Sequence, residues 1–167
     1  MVDLSPRNVQ YYIYSLMTIQ GILVTMSVFG GCWGGFQGVF TQDSDKRYYL
    51  CDPIVPWMGS SWHVAAGVFG VFAFVIILAY IVSAPILMVL LDGNRISARH
   101  LVLWNIASNL LITICLFLTY VIYGVQHNSL VNGKVKISLG YPFVISIISS
   151  AISLLTGLFS IYVLYRM

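Results

Sequence analysis

Residues 62–91 read WHVAAGVFGVFAFVIILAYIVSAPILMVLL, an apolar run without a single Asp, Glu, Lys or Arg. A helix needs about 20 apolar residues to cross the roughly 30 Å of hydrocarbon in a bilayer. At about 1.5 Å per residue this run exceeds that thickness, so the helix must tilt, kink or project from the membrane. Pro85 is the natural kink, because it lacks a backbone donor and clashes one turn back. The run predicts a transmembrane helix.

Three further runs of the same kind surround it, at residues 11–31, 101–125 and 141–164. They leave three loops, at residues 32–61, 92–100 and 126–140. The whole chain is 59% hydrophobic and only 8% charged, whereas a soluble domain carries roughly 25% charged residues. Residues 1–167 are therefore predicted to form one membrane domain that crosses the bilayer four times.

The loops carry weaker signals of β-structure. Asn132-Gly133 lies between residues 129–131 and 134–137, and Asn-Gly between alternating residues is typical of a β-hairpin turn. The predicted fold class is all-α membrane: a four-transmembrane-helix bundle, with room for a small extracellular β-hairpin or sheet from the loops.

Basic residues do not fix the orientation of the bundle. Four of them fall on each side: Arg7, Arg95, Arg99 and Arg166 with the termini, and Lys46, Arg47, Lys134 and Lys136 in the other two loops. The positive-inside count is a tie.

Cys32 and Cys51 bracket the first loop, and a disulfide between them would place that loop in an oxidising compartment and both termini in the cytoplasm. The alternative is two free cysteines.

Polar residues recur inside two of the runs. Asn105, Asn109 and Thr113 are spaced four apart on one helical face, which predicts an internal polar network because amides facing lipid are costly. Gln20 of the first run is the expected partner. A conduction or substrate path is the alternative.

The fourth run carries a face of small residues at three- and four-residue steps: Ser146, Ser149, Ser150, Ser153, Thr156, Gly157 and Ser160. Such faces let helix backbones approach closely in lipid. Packing within the bundle is the first interpretation, and docking of a partner protein in the bilayer is the alternative.

No chemistry is predicted inside the membrane. The interiors of the four runs hold no acidic or basic residue, and the three histidines, His63, His100 and His127, lie at or beyond the run ends. We expect no catalytic site, no metal site and no cofactor, while a bound lipid or sterol stays open. Nucleic-acid binding is not expected, since the chain has no run of Lys or Arg.

Trp33 stands between glycines beside Cys32, where a flexible backbone could hold its ring as an anchor between loop and bundle. Trp33, the loop cysteines and the C-terminal stretch GYPF (140–143) with LLTGLFSIYVL (154–164) give the chain its resemblance to the claudin and peripheral myelin protein 22 superfamily. The resemblance implies cytoplasmic termini, a plasma-membrane location and a non-enzymatic protein that acts through contacts. One departure is that Cys32 precedes Trp33, whereas the family's paired loop cysteines follow the Trp.

Three functions fit these observations. The first is an accessory or auxiliary subunit that binds a larger channel, receptor or transporter within the bilayer. The second is a claudin-like junction or membrane-organising protein that assembles with itself. The third is a structural subunit of a bioenergetic or translocation complex. Each of these functions implies contact with membrane lipids. Each also implies a protein partner, which is either a different membrane protein or further copies of this chain in a homo-oligomer.

Overall fold

The computed structural model describes residues 6–30, 34–36, 50–52, 61–93, 95–130 and 137–166. Within this part of the chain there are four helices: α1 (Pro6–Phe29), α2 (Ser61–Asp92), α3 (Ala98–Leu130) and α4 (Tyr141–Arg166). Each contains a stretch long and apolar enough to cross a membrane: Asn8–Phe29, Val64–Asp92, Ala98–Val125 and Tyr141–Arg166. The prediction of an all-α bundle of four membrane-spanning helices is confirmed.

The helices form a closed ring in which each one packs on its neighbours in the order α1, α2, α3, α4 and back to α1. Aliphatic side chains such as Val24, Ile77, Ile112 and Leu116 are fully buried where the helices meet. Large apolar side chains also cover the outside of all four helices. Lipid accepts such a surface and water does not, so the burial pattern agrees with a membrane bundle.

The short turn between α2 and α3 is closed by its own backbone. The amide of Gly93 donates to the carbonyl of Val89 at 3.1 Å, and the amide of Arg95 donates to the carbonyl of Leu90 at 2.9 Å. These bonds satisfy carbonyls that lose their partners where a helix ends. Ser97 precedes α3, and its hydroxyl lies 2.7 Å from Nδ1 of His100. The turn thus places α2 and α3 side by side and antiparallel.

Helix α2 continues through Pro85, with no break in its assigned helix. Because proline has no amide hydrogen, the carbonyl of Ile81 one turn earlier loses its helical donor. The hydroxyl of Tyr14 on α1 donates to that carbonyl at 3.5 Å. A side chain of the neighbouring helix therefore partly compensates for the bond that the proline removes.

The loops add a small antiparallel sheet in the order β2-β1-β3, made of β1 (Gly34–Phe36), β2 (Leu50–Asp52) and β3 (Ile137–Leu139). The central strand joins both loops, since Phe36 pairs with Leu50 on one side and with Ile137 on the other. All three strands are connected to the bundle end opposite the chain termini.

The predicted hairpin around Asn132-Gly133 is wrong in its pairing. Ser129 and Leu130 belong to α3 rather than to a strand, and Ile137 pairs with the first loop. Helix α3 continues because nothing in residues 126–130 breaks it. The turn at Asn132-Gly133 lies outside the described residues, and so do Cys32 and Trp33. Cys51 lies in β2, and its disulfide with Cys32 stays a prediction.

Candidate functional site

A chain of hydrogen bonds crosses the interior of the bundle, and Asn105 of α3 stands at its centre. The hydroxyl of Tyr80 on α2 donates to Oδ1 of Asn105 at 2.5 Å. The amide group of Asn105 donates in turn to Oε1 of Gln10 on α1 at 2.8 Å. All three side chains are at most 2% exposed. One asparagine thus connects three helices inside the bundle, where an unpaired buried polar group is energetically costly.

Asn109 extends this chain to the fourth helix. Its amide donates to the backbone carbonyl of Asn105 at 2.8 Å. Ser153 of α4 donates to the backbone carbonyl of Asn109 at 2.9 Å and also lies 3.2 Å from its Oδ1. Thr113 donates to the same carbonyl at 2.8 Å. The bonds centred on Asn105 and Asn109 therefore link all four helices, and we call this set of residues the polar network.

Gln20 lies apart from the polar network, although the sequence analysis expected it to be the partner of the asparagines. Its side chain is fully buried, and neither its amide oxygen nor its amide nitrogen has a hydrogen-bond partner. Gln10, nearly three helical turns earlier in α1, takes the expected position beside Asn105. The asparagine spacing gave the correct face of α3, but it carried no information on how α1 is shifted along its axis.

The small-residue face of α4 is turned into the bundle. Its hydroxyl-bearing members are buried: Ser146, Ser149, Ser150, Ser153, Thr156 and Ser160. A Cβ atom built at Gly157 would lie 3.3 Å from Cβ of Asn109, so glycine there allows α3 and α4 to approach closely. This face packs against α3 and α1, and the alternative that it docks a partner protein does not agree with its burial.

The chemistry of the polar network suits a structural role, which is to hold the four helices together. Its members are uncharged amides and hydroxyls, which donate and accept hydrogen bonds but do not ionise near neutral pH. Within the described ranges, no group of three or more His, Cys, Asp or Glu residues is placed to hold a metal ion. Cys115 is a half-buried free thiol on α3. The arrangement can fix the rotation and register of four helices.

The surface of α2 that faces away from the bundle is the broadest apolar surface of the four helices. Only 17% of its most apolar stretch is buried, against 33% to 39% in the other three helices. Its exposed side chains recur at steps of three, four or seven residues and are mainly β-branched: Val68, Phe72, Val75, Val82, Ile86 and Val89. We call these six residues the α2 outer face. Their spacing gives one continuous stripe along the helix.

Sequence reasoning missed two members of the polar network. Gln10 falls one residue before the first predicted run, and Tyr80 is one of many aromatic residues in an apolar run. No signal in the sequence separates Tyr80 from the tyrosines at the membrane boundary, except that it lies near the middle of its run. A buried tyrosine hydroxyl needs a partner, and that requirement could have indicated Tyr80.

Residues 1–166 match the model of the family described as "Tight junction protein, Claudin-like". No curated protein matches the chain. The family match covers all four helices and all three strands.

Proposed function

The chain belongs to the claudin-like family of tight junction proteins, and on that premise we propose that it is a junction or membrane-organising protein that assembles with copies of itself. The observation that carries the proposal is the extent of the family match, which includes both loops as well as the helices. Of the three functions considered from the sequence, the self-assembling protein fits this family.

The organisation of the bundle supports a protein that works through its surfaces. The hydrogen bonds of the polar network join the four helices to one another within the chain. The outside of the bundle is apolar along its length. Lateral contacts with lipid or with a second protein would therefore use packing of apolar side chains.

The sheet supports a contact at the loop end of the bundle. Strand β1 of the first loop pairs with β3 of the second loop, so these described strands join the two loops. Strands that are already paired are ordered before binding, which lowers the free-energy cost of forming a contact at this end. In a junction this end would meet its counterpart on the opposite cell.

The proposal places the protein in the plasma membrane with both termini in the cytoplasm and a Cys32–Cys51 disulfide in the first loop. The orientation is tested by adding epitope tags at each terminus and staining cells with and without permeabilisation. We expect both tags to be stained only after permeabilisation. Staining of either tag on intact cells would overturn the orientation, and with it the disulfide argument.

The function is tested by expressing the full chain with a fluorescent label in cells that lack junctions. We expect enrichment at contacts between two expressing cells and none where an expressing cell touches a non-expressing one. Surface biotinylation controls for the amount of protein at the plasma membrane. Equal fluorescence at both kinds of contact, with normal surface levels, would contradict assembly across the cell gap.

The second candidate is an auxiliary subunit of a larger membrane protein, and the α2 outer face favours it. That surface is long, apolar and left uncovered by the other helices, so a helix of another protein could pack on it. Gentle detergent extraction followed by size analysis and mass spectrometry separates the two functions. A larger membrane protein in fixed stoichiometry would favour the auxiliary subunit, whereas a homo-oligomer would favour self-assembly.

A further inference from the structure

We draw no further inference here: the strongest candidate, the fully buried side chain of Gln20 on α1, leaves both of its amide atoms without a hydrogen-bond partner, but each of these atoms has less than 1 Å² of accessible surface, so no ligand reaches them.

Discussion

Asn105 bonds both Tyr80 of α2 and Gln10 of α1 through one side-chain amide. Replacing it by leucine, which has a similar size, removes both bonds and leaves two buried polar partners without them. We expect Asn105→Leu to lower the free energy of unfolding by about 1–3 kcal/mol, since side-chain hydrogen bonds inside membrane proteins are individually modest. The measurement is the loss of helicity on titrating sodium dodecyl sulfate into mixed micelles.

Ser15→Ala is the control for that substitution. Ser15 is exposed, and its hydroxyl donates only to the carbonyl of Tyr11 one turn earlier in the same helix, so its loss should leave the midpoint nearly unchanged. Equal midpoints for Asn105→Leu and Ser15→Ala would show that the polar network contributes no stability.

Gly157 lies where α4 comes close to α3. A Cβ at this position would lie 3.3 Å from Cβ of Asn109, which is tight but can be relieved by a small shift. We expect Gly157→Ala to cost up to about 1 kcal/mol and Gly157→Leu about 2–3 kcal/mol, because added methylene groups force packed helices apart. The same micelle titration measures both. Leu155→Ala, at an exposed position on α4, is the control, and a Gly157→Leu variant as stable as this control would contradict the packing argument.

The hydrogen bond from Tyr14 of α1 to the carbonyl of Ile81 supports helix α2 at Pro85. A double-mutant cycle can measure the coupling free energy between Tyr14 and Pro85. Tyr14→Phe removes the hydroxyl that donates to the carbonyl of Ile81. Pro85→Ala gives that carbonyl a helical donor again. We expect Tyr14→Phe to destabilise the unchanged protein by about 0.5–1 kcal/mol and the Pro85→Ala variant by less, with a coupling energy of a few tenths of a kcal/mol or more. Identical costs in the two backgrounds would show that the Tyr14 bond does not compensate for the proline.

The helices were predictable from the sequence because the thickness of the hydrocarbon sets the length of an apolar run. The ends of the helices were not predictable, since the helical backbone continues into polar segments. Helix α1 begins at Pro6 and α3 extends to Leu130, so both reach beyond the predicted apolar runs. The sheet was predicted only in outline. The pairing of Phe36 with Ile137 joins residues far apart in the chain, and no local pattern encodes such a register.

The candidate site, too, was predictable from the sequence only in part. The four-residue spacing of Asn105, Asn109 and Thr113 placed them on one inward face, because an amide has to avoid lipid. The partners on other helices depend on how each helix is rotated and shifted, which periodicity within one helix does not determine. That is why Gln10 and Tyr80 were missed, and why Gln20 was expected in their place.

At the scale of the whole molecule, the polar network is directed into the bundle and the α2 outer face is left uncovered. We therefore expect self-assembly within one membrane to use that face. We expect Val75→Trp with Val82→Trp to lower the homo-oligomer fraction severalfold, because two large rings on one stripe prevent close packing of a second helix. Both valines are more than half exposed, so the free energy of unfolding should stay within about 0.5 kcal/mol. Leu155→Trp on the exposed side of α4 is the control. Size analysis by light scattering in detergent measures the oligomer, and an equal loss in the control and the double variant would remove the α2 outer face from the assembly.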